Sequence, residues 1–158
     1  MIKSLRKSEI HMKKYTLITG ASSGLGIDFA NEYAKQNENL ILVARRVDRL
    51  NQIKNEIESK YAVDVIVYPL DLNHNSEINQ FFEQLDSDIF IHRLINNAGF
   101  GYSGSFVNMQ ESQIRSMISV NIEALTILAH KVIPNMIEHK QGEILNVGSI
   151  AAFVPGPY

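Results

Sequence analysis

Thr19-Gly20-Ala21-Ser22-Ser23-Gly24-Leu25-Gly26 stands between two runs of different periodicity. Ahead of it, Tyr15-Thr16-Leu17-Ile18 is short, apolar and partly β-branched, the composition of a buried strand. Behind it, Phe29, Ala30 and Tyr33 fall on one face of an amphipathic helix. A glycine-rich turn from strand to helix is suited to an anion. Glycine has no Cβ to block a close approach, and the first helical turn offers unpaired N–H groups with the positive end of the macrodipole behind them. A pyrophosphate matches both properties.

The same punctuation recurs along the chain. Residues 40–44 form an unalternating apolar run closed by Arg45-Arg46, as expected of a parallel strand covered on both faces. Leu50, Ile53 and Ile57 mark the next helix. A third strand, 63–68, ends at Pro69-Leu70-Asp71-Leu72, and Ser76 offers an N-cap to a helix with Ile78, Phe81, Phe82 and Leu85 inward. The fourth strand, 89–95, is interrupted by His92 and Arg93 and ends in Asn96-Asn97-Ala98-Gly99. The longest helical stretch starts near Glu111 and carries Ile114, Met117, Ile118, Ile122, Leu125, Leu128 and Val132 as its apolar face, with Pro134 expected to bend or end it. Residues 142–147 make a fifth strand leading into Gly148-Ser149.

Strands alternating with helices predict right-handed βαβ units, hence an α/β fold with a doubly wound, Rossmann-like parallel sheet. In such sheets ligands sit over the carboxyl ends of the strands. All five exits here carry a polar or glycine-rich motif, whereas the strand entries are unremarkable.

Composition narrows the function. At 158 residues the chain suits one domain. A hydrophobic share of 45%, a charged share of 20% and a mean hydropathy of −0.08 describe an ordinary globule. Fifteen basic against seventeen acidic residues leave −2, no global field for nucleic acid or an anionic membrane. There is no cysteine, which fits a reducing, cytoplasmic setting. The five histidines are scattered singly, so no metal site is expected. No apolar run approaches the ~20 residues of a bilayer span, so no membrane association is expected. Residues 1–11 are polar and basic without an apolar signal core. Residues 1–12 read as a disordered extension ahead of a dinucleotide-binding domain at 13–158.

The spacing Gly20-x-x-x-Gly24-x-Gly26 departs from the common G-x-G-x-x-G fingerprint. With Thr19 it resembles the Thr-Gly-x-x-x-Gly-x-Gly signature of the short-chain dehydrogenase/reductase family, and the resemblance runs from Lys13 to Tyr158. It implies a strand order of 3-2-1-4-5 for the five strands present, with cofactor contacts from Gly20, Ser22, Ser23, Gly24, Leu25 and Gly26. Asp71-Leu72 matches the family's adenine-binding segment. Asn97, Ala98 and Gly99 match the segment beside the cofactor ribose, with Asn96 tying neighbouring strands together. Asn121 matches the catalytic asparagine that bends its helix and holds a water in a proton relay, and Ser149 the catalytic serine.

At the second strand's exit no carboxylate precedes Asp48, so the ribose-binding acid of NAD-dependent folds is absent and Arg45-Arg46 stands there instead. A guanidinium grips a 2′-phosphate through paired donors, which favours NADP(H) over NAD(H). The alternative makes one arginine, Arg46 before Arg45, a solvated strand end.

One departure from the family is decisive. Members that this chain resembles use Tyr-x-x-x-Lys on a helix as the acid/base pair. Tyr158 lies nine residues after Ser149, directly behind Pro155-Gly156-Pro157, and no lysine follows Lys140. Tyr158 therefore does not fit the catalytic tyrosine, and the pair, with the C-terminal part of the fold, is expected in sequence not contained here. The resulting expectation is the nucleotide-binding portion of an NADP(H)-dependent oxidoreductase interconverting a small-molecule alcohol and carbonyl, inactive by itself. The alternative is a non-catalytic dinucleotide-binding or interaction module. Self-association would use the helix 111–133, and Phe100, Tyr102, Phe153 and Val154 could line an apolar pocket.

Overall fold

The computed structural model describes residues 12–154. Its strands are β1 (Lys13–Thr19), β2 (Asn39–Ala44), β3 (Val65–Pro69), β4 (Ile89–Asn96) and β5 (Glu143–Asn146). All pair in parallel in one sheet, ordered β3-β2-β1-β4-β5 as expected. The helices are α1 (Leu25–Lys35), α2 (Val47–Glu58), α3 (Asn75–Gln84), α4 (Glu111–Ile118) and α5 (Leu125–Glu138). Residues 1–11 and 155–158, and with them the extension up to residue 11 and the Tyr158 reading, lie outside the described residues. Met12 packs against the core.

Period-two alternation sends the strand residues to two cores. Ile18, Leu40, Leu42 and Ile95 meet Ala30, Ala34, Leu50, Ile53 and Ile57 of α1 and α2. Leu17, Ile41, Val43 and Leu94 meet Ile78 and Phe81 of α3 and Leu128, Val132 and Met136 of α5. Both faces are apolar because both are covered, which is why β2 shows no alternation in sequence. The sheet thereby fixes the exits of β1, β2 and β3, and of β4 and β5, along one rim.

Three local expectations need correction. His74, not Ser76, occupies the N-cap of α3, and its side chain makes no cap bond. Pro134 does not end α5, which runs on to Glu138; the proline is exposed, so the missing N–H bond falls on the solvent side. Third, the long helix is not uniform. Between α4 and α5 lies a π-helical segment, Ser119–Ala124. The wider turn rotates the rest of the helix relative to an α-helical register, in which each residue turns by about 100°. Val120 and Ala124 therefore face the core, while Ile118 and Ile122 are 51% and 60% exposed. The continuous helical run Glu111–Glu138 has mean hydropathy 1.3 over its most apolar 18 residues, enough by length and composition to cross a membrane, which the sequence reading did not expect. In the fold, one face of it lies on the sheet.

His92 and Arg93 interrupt β4 because the strand bulges there: Tyr15 pairs with Ile91 and Thr16 with Arg93, leaving His92 extra. His92 is buried, with Nε2 2.6 Å from Glu38 Oε2. Arg93 bonds Glu38 Oε1 at 3.2 Å and Glu143 Oε2 at 2.8 Å, and lies 4.7 Å over the Tyr33 ring. The Arg93 hydrogen bond holds the Glu143 carboxyl below its usual 4.5. Burial, reinforced by its bond to Asp64, raises the Tyr15 phenol above its usual 10.

These shifts have opposite pH signatures. The Glu143 contribution is complete above about pH 4.5 and is lost as pH falls through its lower folded value. The Tyr15 contribution is complete below about pH 10 and is lost as pH rises through its higher folded value. Urea midpoints followed by circular dichroism should form a plateau that falls on both sides, and a midpoint that rose on acidification below pH 4 would contradict the carboxylate assignment.

Candidate cofactor-binding site

The glycine turn occupies the exit of β1, the central strand. Gly20 and Gly24 have φ of +66° and +53°, left-handed values that glycine adopts without penalty. Gly26 is required for a different reason: a Cβ there would lie 2.3 Å from Gly20 O and 2.9 Å from Ala21 Cα. The turn and the first turn of α1 are thus packed backbone on backbone. On the outer side the site is open. Nothing lies within 4 Å of a Cβ built on Gly24, and Ser23, Gly24 and Leu25 are exposed. Gly24 N-caps α1 without a side-chain cap bond. A bare, positively polarised helix start facing open space fits the pyrophosphate of a dinucleotide.

Thr19, which the sequence reading left without a role of its own, clamps this turn to the β4 exit. Its hydroxyl accepts from the N–H groups of Asn97 and Ala98, both at 3.0 Å, and donates to Ile95 O at 3.3 Å. Asn97 returns the contact, its Nδ2 donating to Thr19 O at 2.9 Å. Its side chain is therefore committed to holding the turn. Ala98 stands so close to Gly20 that a Cβ on the glycine would come within 2.9 Å of Ala98 Cα. Asn96, also buried, donates to Asn146 Oδ1 at 2.9 Å and to Leu125 O at 3.2 Å, joining β4 to β5 and α5.

At the β2 exit the two arginines divide. Arg46 is not simply a solvated end: its Nη2 donates to Ser22 Oγ at 3.0 Å and Ser22 O at 3.3 Å, bringing a cation onto the glycine turn. Arg45 is exposed, and its charge acts on Asp71 at the β3 exit. Burial pushes the Asp71 carboxyl up, but hydrogen bonds from the Asn73 backbone and side chain, helped by Arg45, hold it below its usual value. Leu72 is 7% exposed and belongs to the core.

Asn121 sits in the π segment with both amide atoms engaged on one residue. It accepts from Phe100 N at 3.1 Å and donates to Phe100 O at 2.7 Å. The wide turn and this pairing together fix the loop after β4 against the helix, and Gly99 lies against the Asn121 carbonyl. Ser149, beyond β5, is exposed and accepts from Ala151 N at 3.1 Å, opening the short 3-10 turn Ile150–Ala152. Among the described residues no cluster of His, Asp or Glu could hold a metal.

A glycine turn at the central exit, guanidinium groups at the next and a carboxylate at the third line one rim of the parallel sheet, the rim where α/β folds of this winding take their ligands. The short chain dehydrogenase profile matches residues 14–158. The chain belongs to the short-chain dehydrogenase/reductase family. It is 34% identical, over 98% of its length, to a very-long-chain 3-oxoacyl-CoA reductase of Laccaria bicolor, covering 46% of that protein. It is 29% identical, over 91% of its length, to the inactive hydroxysteroid dehydrogenase-like protein 1 of Homo sapiens, covering 44%. Among solved structures, a short-chain dehydrogenase from Sphingobium yanoikuyae in complex with NADPH superimposes with a TM-score of 0.83 at 35% identity, spanning 90% of this chain and 56% of that one. The chain thus spans about half the length of the curated relatives it matches.

Proposed function

We propose that this chain binds NADP(H) and serves an oxidoreductase that interconverts an alcohol and a carbonyl compound. The observation that carries the reading is the Arg46 bond to Ser22, with Arg45 beside it, at the exit where a ribose 2′-phosphate would lie. Gly20 to Gly26 would hold the pyrophosphate, Asp71 the adenine, and Ala98 and Gly99 the nearby ribose. When bound, the nicotinamide supplies or accepts a hydride. Ser149 would orient the substrate oxygen, and Asn121 holds the loop that flanks it. No Tyr-x-x-x-Lys pair occurs among the 158 residues, so this polypeptide is read as binding cofactor without turning over a carbonyl. The relative named as inactive supports a second reading, dinucleotide binding with no catalysis in the whole protein.

The substrate side is apolar. Phe100 and Tyr102 meet edge to face at 5.5 Å, and Phe106 and Phe153 are 71% and 88% exposed on loops beyond β4 and β5. Together with the relative named for 3-oxoacyl-CoA reduction, this supports a carbonyl substrate with an extended apolar body. The reading places the protein in the cytoplasm, in keeping with a cysteine-free α/β domain.

Fluorescence titration of the chain with NADPH and NADH is the test. NADPH should bind more tightly, and the double variant Arg45→Ala, Arg46→Ala should cut that preference about 10-fold or more, the range for charge-assisted hydrogen bonds. Tighter binding of NADH by the unaltered chain would overturn the assignment.

A further inference from the structure

The partly exposed Asp71 carboxylate takes its hydrogen bonds from a single residue. Both hydrogen bonds that it accepts fall on Oδ1, from Asn73 N at 3.0 Å and Asn73 Nδ2 at 2.9 Å. Among the described residues Oδ2 accepts none, so it is left as an acceptor at the β3 exit. This arrangement depends on which way the Asn73 amide points: turned over, it would set a carbonyl oxygen against the carboxylate. The carboxylate itself, which only accepts, selects that orientation, and Ser116 on α4, whose hydroxyl donates to Asn73 Oδ1 at 2.6 Å, holds the amide in place from the other side. A mid-helix serine usually bonds back to its own helix or points to water. This one reaches a loop 43 residues away in sequence. A separate tie holds the same loop to the helical run. Asn75 Nδ2 donates to Glu123 Oε1, and Ser119 Oγ donates to Glu123 Oε2 at 3.3 Å. The loop therefore stays docked if the Ser116 hydroxyl is lost, and the freedom that returns is rotation of the amide and carboxylate.

We propose that Ser116 and Asn73 are positioning residues for base recognition, a relay that presents the Asp71 Oδ2 lone pairs to the exocyclic amino group of the cofactor's adenine. The inference rests on the NADP(H) reading above and adds to it the source of base selectivity. An ionised carboxylate accepts from the 6-amino group of adenine and repels the 6-oxo group of hypoxanthine, so aim matters more than proximity.

The experiment compares the affinity for NADPH with that for its hypoxanthine analogue by fluorescence titration of the unaltered chain, Ser116→Ala, Ser116→Thr, Asn73→Ala and the double alanine variant. The ratio of the two affinities does not depend on how much of a sample is folded. The unaltered chain should favour NADPH by about 10-fold, the effect of one charge-assisted hydrogen bond. Ser116→Ala should lower the ratio to about 3-fold or less, and Ser116→Thr should restore it. Because the serine acts through Asn73, adding Ser116→Ala to Asn73→Ala should change nothing further. A ratio in Ser116→Ala equal to that of the unaltered chain, or additive losses in the double variant, would overturn the relay. Equal affinity of the unaltered chain for both dinucleotides overturns the relay and leaves the NADP(H) reading standing. Failure to bind either dinucleotide overturns both.

Discussion

Gly26→Ala is expected to abolish measurable NADPH binding and to destabilise the domain by about 3 kcal/mol, at the upper end of the usual cost of overpacking. The added Cβ would lie 2.3 Å from a carbonyl oxygen and 2.9 Å from a Cα, both backbone atoms of the glycine turn itself. No rotamer change relieves that contact, so the turn must open or α1 must move away from it. Either response displaces the N–H groups that would face the pyrophosphate. Gly24→Ala is the informative companion. No atom lies within 4 Å of its built Cβ, and the cost there is confined to a backbone conformation, φ +53° with ψ −139°, that side chains other than glycine rarely adopt, about 1–3 kcal/mol. Urea unfolding should rank Gly26→Ala below Gly24→Ala. Equal midpoints for Gly26→Ala and the unaltered chain would show that the crowding is not real.

Thr19→Val should cost about 2–6 kcal/mol although it is nearly isosteric. The methyl group that replaces the hydroxyl leaves the N–H groups of Asn97 and Ala98 without their acceptor, and each buried unsatisfied donor costs about 1–3 kcal/mol. Against a typical total stability of about 5–15 kcal/mol, such a loss leaves a large unfolded population in the weaker case. Thr19→Ser keeps the oxygen and should recover most of the loss. Urea midpoints, with amide exchange rates at Asn97 and Ala98, check the claim. Unchanged protection of both amides in Thr19→Val would refute it.

Much of the site was legible from residue types alone. A glycine turn after an apolar run, and polar segments at each later strand exit, needed only local patterns to find, and the sheet order followed from the family resemblance. The parts that were missed share a cause. Thr19 was visible within the signature, but its partners lie 78 and 79 residues away. Arg46 was expected at the cofactor, with a solvated strand end as the alternative, but its bond back to Ser22 is a contact that nothing local shows. The apolar face assigned to the long helix assumed constant α-helical phase, and the π turn at Asn121 moved Ile118 and Ile122 outward. That turn comes with a bond to Phe100, a contact across 21 residues that periodicity does not register.

The sequence by itself determined which segments are strands, which are helices, and that the reactive side chains gather at the strand exits. Those properties come from apolar periodicity and from glycine's backbone freedom, both of which act over a few residues. Only the tertiary structure decided which of those side chains meet. Parallel winding sets exits far apart in sequence side by side, so Thr19 touches Ala98, and docking of α4 on the loop after β3 puts Ser116 against Asn73. Such pairings depend on how two cores pack against one sheet, and no local pattern carries that information.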